Sequence, residues 1–194
     1  MKCDVILAGV GGQGVLSLST VIAAGALKQG LQVKQSEVHG MAQRGGAVVA
    51  HLRLADHPVA SALIPRGTAD LIVSVEPLEG LRYLEYLGPR GALLTSIEPM
   101  VNIPDYPELP SLLAALRTSS RVHLVDAREL ARQAGSARAA NMVMVGAAVH
   151  WLPVTPAVLE THIREAFARK GDAVVQANLR AFRLGMEVME CARS

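Results

Sequence analysis

The sequence has 194 residues, of which 51% are hydrophobic, 19% charged and 3% aromatic, a composition typical of one folded domain over residues 1–194 and not of a disordered segment. Its 19 basic and 17 acidic side chains are interspersed and leave a net charge of +2, which with so few aromatic rings argues against nucleic-acid binding. Cys3 and Cys191 lie near opposite ends of the chain, so we expect two free thiols and neither a disulfide framework nor an iron–sulfur site.

The first element has to be distinguished from a signal peptide or a membrane span, because no charged residue occurs from Val5 to Leu27. Several glycines and polar residues interrupt this stretch, and Asp4 stands where a signal peptide would carry basic residues. The pattern therefore predicts a strand over 2–8, a glycine-rich turn and a helix over 15–29. We expect a soluble, cytoplasmic protein that does not contact a membrane.

The rest of the chain alternates between short apolar runs and amphipathic segments. The hydrophobic pattern of 47–54 predicts a strand with one face in solvent. Alternating strands and helices predict an α/β protein with three α/β/α layers, in which right-handed crossovers join a mainly parallel, Rossmann-like sheet and the C-terminal part is helical. Further strands are predicted over 31–35, 70–76, 92–95 and 121–126, helices over 77–87 and 111–118, and helical structure from 127 onward.

The segment AGVGGQG at 8–14, here called the glycine turn, carries a G-x-G-x-x-G pattern between the first strand and the first helix. Glycines permit a tight turn, and a helix N-terminus offers free N–H groups, so the pattern predicts an anion or pyrophosphate site. A dinucleotide fold has an acidic residue at the end of the second strand that binds the ribose of NAD. Glu37 lies slightly beyond that position, which argues against NAD binding. The alternative is that the glycines only let helix and strand pack closely. The candidate binding residues are Gly9, Gly11, Gly12, Gln13 and Gly14.

A second glycine-rich segment, SEVHGMAQRGG at 36–46, follows the predicted second strand. We expect that strand to be adjacent to the first, so that His39 and Arg44 face the same crevice as the glycine turn. His39 is a candidate proton carrier or anion ligand, and Arg44 a candidate bidentate partner for a carboxylate or phosphate. The alternative is a polar loop in which both side chains cap backbone carbonyls. The candidate binding residues are Ser36, Glu37, His39, Gly40, Gln43, Arg44, Gly45 and Gly46.

The other chemistry-bearing residues suggest neither a metal site nor a catalytic set, since no Ser-His-Asp order and no pair of catalytic carboxylates occurs. Asn141 opens an apolar helix and is interpreted as a core residue that needs hydrogen-bond partners. No metal-ligand spacing links the remaining histidines, and surface or strand-end positions are expected for His51, His57, His123, His150 and His162. A close contact with a second chain is expected along the first helix at Ser17, Ser19, Ala23, Ala24 and Gly25.

Several stretches together resemble the gamma-type domain of the 2-oxoacid:ferredoxin oxidoreductases. They are AGVGGQG, SEVHGMAQRGG, and Leu63-Ile64-Pro65 before DLIVSVEPLEGLRYL. The resemblance continues through the helix that begins at Asn141 and through NLRAFRLG at 178–185, so it spans nearly the whole chain. The second glycine-rich segment is its most specific part, because glycine turns alone occur in many folds.

The resemblance implies a small subunit of a complex that oxidatively decarboxylates a 2-oxoacid to an acyl-CoA and passes the electrons to ferredoxin. It implies thiamine diphosphate and iron–sulfur clusters on a large (alpha) subunit, coenzyme A as co-substrate, and indolepyruvate, another aryl pyruvate or pyruvate as substrate. This chain would hold none of these groups alone, would be inactive alone, and would form a homodimer in isolation. Two alternatives stay open: a stand-alone nucleotide-binding oxidoreductase, and a non-catalytic adaptor that binds phosphate.

Overall fold

A six-stranded sheet forms the centre of the computed structural model, which describes residues 1–39 and 45–193. The strands are β1 (Lys2–Val10), β2 (Gln32–His39), β3 (Ala47–Ala55), β4 (Ala69–Ser74), β5 (Leu87–Ser96) and β6 (Val122–Val125). They lie side by side in the order β2-β3-β1-β4-β5-β6. Helices cover both faces of this sheet, which confirms the predicted three-layer α/β/α architecture.

The helices of the described residues are α1 (Val15–Lys28), α2 (Pro77–Arg82), α3 (Leu109–Arg117), α4 (Ala127–Gln133), α5 (Ala140–Ala148), α6 (Pro156–Phe167) and α7 (Asp172–Arg193). Because side chains alternate along a strand, Val5 and Leu7 of β1 join the core under α1 and α4 to α7, whereas Ile6 joins the core under α2 and α3. Within the described residues, no helix has both the length and the apolar character needed to cross a membrane.

The strand directions correct one expectation about the sheet. β1, β4, β5 and β6 are parallel, as predicted, but β3 runs antiparallel to both of its neighbours, β1 and β2. The connection 40–46 is too short for the crossover that a parallel pair needs, so β2 and β3 pair directly. β2 also extends to His39, beyond its predicted end, and β3 separates it from β1.

β3 is covered on both faces, so the predicted solvent face is wrong. His51 on that face is only 6% exposed, not a surface residue, and its Nδ1 accepts a hydrogen bond from Ile64 N–H at 3.0 Å. Arg53 donates to both carboxylate oxygens of buried Asp4, at 2.8 and 3.0 Å, and to the Leu63 carbonyl at 3.2 Å. These contacts hold the connection between β3 and β4 against the sheet.

Helices α5 and α7 pack backbone to backbone because each presents a glycine to the other. A Cβ added at Gly146 would lie 1.9 Å from the Phe182 carbonyl oxygen, and one added at Gly185 would lie 2.0 Å from the Val143 carbonyl oxygen. Both distances are far inside van der Waals contact, so only glycine allows this approach.

Two of the small residues of α1, Ser19 and Gly25, lie in contacts within the chain, whereas Ser17 is exposed and the expected contact with a second chain stays a prediction. Ser19 is fully buried, and a Cβ added at Gly25 would lie 2.6 Å from Leu159 Cδ2 of α6. Helices α5 and α6 both pack on α1. The small side chains therefore let the outer helices approach α1 closely.

We expect Gly185→Ala to destabilise the protein by about 2 to 3 kcal/mol, because the new methyl group forces the backbones of α5 and α7 apart. Gly25→Ala is the matched control, since it makes the same change in a helix but meets the mobile end of Leu159. We expect the control to stay within about 1 kcal/mol of wild type. Urea unfolding measures both, and equal effects would contradict the close packing of α5 on α7.

A second prediction concerns the pH dependence of stability. Burial, and then the charge of Arg53, lower the pKa of His51, so the native state keeps this imidazole neutral where the unfolded chain protonates it. The unfolded state then binds more protons, and the free energy of unfolding should fall as pH drops below about 6.5. His51→Asn, which keeps an acceptor for Ile64 N–H, should reduce this slope in urea titrations at several pH values.

The control for that titration is His57→Asn, because His57 is exposed. Burial also lowers the pKa of His162. His162 is present in both variants, so its contribution to the pH dependence of the free energy of unfolding is the same in each. An unchanged slope in His51→Asn would contradict the neutral, buried state of His51.

Candidate functional site

The glycine turn lies at the carboxyl edge of the sheet. Glycine is needed at its positions for different structural reasons. Gly9 ends up under Val75, where an added Cβ would lie 2.5 Å from Val75 Cγ2. Gly12 and Gly14 have φ values of 105° and 78°, in the region that favours glycine. Gly14 also faces Asn141, whose Nδ2 would lie 2.6 Å from an added Cβ. Close packing and backbone conformation therefore both explain the motif.

Hydrogen bonds within the protein occupy part of the predicted anion site. Gly11 N–H donates to the Gly46 carbonyl at 2.8 Å, and Gln13 N–H donates to the Val10 carbonyl at 3.0 Å. These two amides are therefore not available to an anion, contrary to expectation. Gly45 N–H donates in return to the Gly11 carbonyl at 3.1 Å, so the two glycine-rich segments pair with each other.

Two amide side chains fix the turn from within. Gln13 Oε1 accepts a hydrogen bond from Val10 N–H at 2.8 Å, and Gln13 Nε2 donates to the Val75 carbonyl at 3.3 Å. Asn141 Nδ2 donates to the carbonyls of Gln13 and Gly14, at 3.0 and 3.2 Å. Asn141 is thus more than a core residue, because it joins the start of α5 to the glycine turn.

The second glycine-rich segment is divided between a strand and a loop. Ser36, Glu37 and the backbone of His39 belong to β2, so they do not follow the strand as predicted. His39 pairs with Val48, and Val48 pairs with Gly9, so His39 lies level with the glycine turn but two strands away. Gly45 and Gly46 lie beside Gly11. The predicted site residues Gly40, Gln43 and Arg44 lie outside the described residues.

A small crevice of about 160 Å³ opens beside the turn, between the carboxyl ends of the strands and the start of α5. Its polar lining includes Gln13, Asn141 and an ion pair between Glu98 and Arg128 at the rim. The paired charges cancel, so the crevice is polar without a net charge to attract a phosphate. This arrangement fits contact with a polar surface or with a neutral part of a ligand.

A pair of acidic side chains after β4 was not predicted from the sequence. Glu76 and Glu79 are each only 1% exposed. Burial raises the pKa of Glu79; the charge of Arg82 opposes this rise and that of Glu76 adds to it. The available signal was the pattern EPLE directly after an apolar strand, which places two carboxylates in the first turn of α2.

The two cysteines do not fit an iron–sulfur cluster. Cys3 is buried in β1, where its thiol donates to the Trp151 carbonyl at 3.4 Å. Burial, followed by the charges of Asp70 and Asp4, raises the pKa of this thiol to about 12. Cys191 is exposed near the end of α7. A protonated buried thiol and a remote exposed one do not supply the thiolate set that a cluster needs.

Comparison with known proteins places this geometry in a family. Residues 4–188 match the family profile described as pyruvate ferredoxin/flavodoxin oxidoreductase. The chain belongs to this family. The indolepyruvate oxidoreductase subunit IorB of Archaeoglobus fulgidus is 39% identical over 194 residues, covering 95% of this chain and 94% of the relative. The IorB subunit of Pyrococcus horikoshii is 35% identical over 193 residues, with the same coverage. The family resemblance inferred from the sequence is thus confirmed.

Solved structures of the family share the fold. The gamma subunit of a keto/oxoacid ferredoxin oxidoreductase from Geobacter sulfurreducens has a TM-score of 0.71 at 23% identity, over 97% of this chain and 99% of the other. The 2-oxoglutarate:ferredoxin oxidoreductase of Magnetococcus marinus, solved with 2-oxoglutarate, coenzyme A and succinyl-CoA bound, has a TM-score of 0.76 at 21% identity. The match covers 98% of this chain but only 31% of that one. In that protein the fold is one part of a longer chain.

We expect Asn141→Asp to destabilise the protein by about 3 kcal/mol, because a carboxylate would face the carbonyls of Gln13 and Gly14 and lose both donated bonds. Lowering the pH should restore part of the stability, since a protonated Asp can donate one bond. Gln32→Glu, at an exposed position of β2, is the control. Urea unfolding at pH 7 and pH 4.5 measures both variants, and equal stabilities at pH 7 would contradict the role of Asn141.

Proposed function

We propose that this chain is the small subunit of a heteromeric oxidoreductase that oxidatively decarboxylates a 2-oxoacid to an acyl-CoA and transfers the electrons to ferredoxin. The observation that carries the proposal is the match to IorB subunits along nearly their whole length, including 94% of the Archaeoglobus fulgidus protein. The whole chain would form one gamma-type domain, as the family match over 4–188 suggests. An aryl pyruvate such as indolepyruvate is the proposed substrate class, ahead of pyruvate, in the cytoplasm.

The carboxyl edge is the proposed contact surface for the large subunit. Three large apolar side chains are exposed there: Val101 at 70%, Val38 at 59% and Leu16 at 36%. They lie near the paired glycine-rich segments, since Leu16 follows the turn, Val38 is the residue before the end of β2, and Asn102 beside Val101 bonds to Gly45. Exposed apolar side chains beside a crevice of only about 160 Å³, as the described residues form it, are typical of a protein interface.

The cofactors of the proposed complex belong mainly to the large subunit. Thiamine diphosphate supplies the carbanion chemistry of decarboxylation, and iron–sulfur clusters carry the electrons. Cys3 and Cys191 do not fit a cluster, as described above. Coenzyme A, if it reaches this chain, would approach at Gly12, where an added Cβ would meet nothing within 4 Å. In the proposed complex the residues at the carboxyl edge of this chain would orient the surface of the large subunit and exclude water from the contact.

The two alternatives from the sequence receive less support. A stand-alone nucleotide-binding oxidoreductase and a phosphate-binding adaptor both need free backbone N–H groups in the glycine turn. The bonds that Gly11 and Gln13 donate inside the protein remove two of these groups. A protein interface does not need free backbone N–H groups in the glycine turn. The role of a subunit therefore agrees better with the bonds that Gly11 and Gln13 donate within the chain.

Reconstitution tests the proposed function. The purified chain should be colourless and inactive, because its own residues supply no redox centre. Mixed with the large subunit from the same organism, it should support reduction of a low-potential acceptor that depends on an aryl pyruvate and coenzyme A. In size-exclusion chromatography the chain alone should elute as a homodimer, which the large subunit should dissociate. Turnover by this chain alone, or full turnover by the large subunit without it, would contradict the proposal.

A further inference from the structure

The segment 97–106, between β5 and α3, is held mainly by side chains. Ile97 N–H donates to the Val125 carbonyl at 3.0 Å, and no strand or helix lies between Ser96 and Leu109 in the described residues. Pro99 and Pro104 have no N–H group to donate. The conformation of this segment therefore depends on bonds from elsewhere.

The buried carboxylate of Glu76 is the centre of these bonds. Its Oε2 accepts a hydrogen bond from Glu79 N–H at 2.8 Å, which caps α2. Its Oε1 accepts from Met100 N–H at 3.4 Å and from the hydroxyl of Tyr106. One carboxylate thus ties two points of the segment 97–106 to the carboxyl end of β4. Hydrogen bonds to a charged, buried acceptor are among the strongest in proteins.

The electrostatics of this cluster keep Tyr106 a donor. Burial, and then the hydrogen bond to Glu76, raise the pKa of the Tyr106 hydroxyl, so it stays protonated throughout the neutral range. Tyr106 can therefore donate to Glu76 Oε1 throughout this range.

The segment 97–106 in turn reaches the paired glycine-rich segments. Asn102 Nδ2 donates to the Gly45 carbonyl at 2.9 Å. Gly45 N–H donates to the Gly11 carbonyl at 3.1 Å, and Gly11 N–H donates to Gly46 at 2.8 Å. Hydrogen bonds on either side of Asn102 therefore fix Met100 and Tyr106 to Glu76, while Asn102 itself bonds to the backbone that pairs with the glycine turn. Glycine-rich backbone has little conformational preference of its own, so such bonds select its arrangement.

We propose that Glu76 is a positioning residue: through Tyr106 and Asn102 its carboxylate holds the glycine turn and Gly45 in the arrangement that meets the large subunit. The contact with the large subunit rests on the proposed function. The effect of Glu76 on the conformation of the glycine turn does not, because it is a property of this chain alone. The two parts can therefore be tested separately.

Hydrogen exchange of the full chain tests whether these bonds fix the conformation of the glycine turn. Tyr106→Phe removes one hydroxyl and keeps the ring, and Asn102→Ala removes the bond to Gly45. In both variants the amides of Gly11 and Gly45 should exchange at least about tenfold faster than in wild type, because local opening becomes easier. Amides of the central strands, such as those of Leu7 and Val73, should keep their wild-type rates.

The matched control is Tyr86→Phe, because the Tyr86 ring meets the His51 ring edge to face, away from the carboxyl edge, with ring centroids 5.6 Å apart. Glu76→Gln tests the carboxylate directly, since an amide has only one acceptor oxygen and cannot accept at both of the positions that Glu76 Oε1 and Oε2 now occupy. If Glu76→Gln does not fold, Tyr106→Phe and Asn102→Ala still decide the proposal. Unchanged exchange at Gly11 and Gly45 in both of these variants would overturn it.

Binding to the large subunit tests the second part. Tyr106→Phe and Asn102→Ala should bind the immobilised large subunit about tenfold more weakly than wild type, whereas Tyr86→Phe should bind normally. Saturating the assay with each variant should restore most of the turnover, which separates positioning from catalysis. Faster exchange with unchanged binding would overturn the proposal, because the turn would need no positioning. If wild type itself fails to bind, the proposed function fails, and exchange alone decides the role of Glu76.

Discussion

The carboxyl edge of this protein depends on the backbone pairing of Gly11 with Gly45 and Gly46. The two hydrogen bonds, 2.8 and 3.1 Å long, continue the β1–β3 ladder beyond Val10 and Ala47. They exist because β3 returns antiparallel beside β1. The reversed strand and the occupied amides of the glycine turn are therefore one structural feature: a parallel β3 would begin at the opposite edge of the sheet and leave Gly11 without this partner.

The same pairing distinguishes this glycine pattern from the one that approaches a pyrophosphate in a Rossmann fold. In a Rossmann fold the second glycine of the pattern lets pyrophosphate approach the backbone. At that position, Gly11 is approached by the backbone of Gly46. Gly9 packs under Val75, and Gly14 has a positive φ beside Asn141. The spacing of the glycines thus reflects requirements of packing and conformation that many turns share.

The local periodicity of hydrophobic residues was enough to predict the three layers of the fold. It could not predict which strands pair with each other over long separations in the sequence. The apolar runs of β1 and β4 and the pattern of α1 are local signals, and the structure contains all three. The polar residues Ser36 and Glu37 looked like a loop because β2 is an edge strand, where hydrophobic alternation is weak.

The site residues that the sequence did not reveal act over long separations. Asn141 bonds to a carbonyl 128 positions away, and Glu76 bonds to Tyr106, 30 positions away. No periodicity of hydrophobic residues encodes such a partner. What the sequence does show is a polar residue at an element boundary, next to an apolar run, and such residues are where tertiary hydrogen bonds should be sought.

These internal hydrogen bonds also bear on how the edge can take part in binding. A backbone N–H that is free in water must be desolvated when a protein surface covers it, and this costs free energy unless the partner supplies an acceptor. At Gly11, Gly45 and Gln13 the acceptor is already inside the chain. Covering the exposed side chains of Val38 and Val101 then gains apolar burial with little polar cost. An anion site needs the opposite arrangement, with its donors free and its surroundings positive. At the described part of this edge the amides of Gly11, Gln13 and Gly45 and the charges of Glu98 and Arg128 are paired, an arrangement that suits the proposed contact with another protein better than the capture of a phosphate.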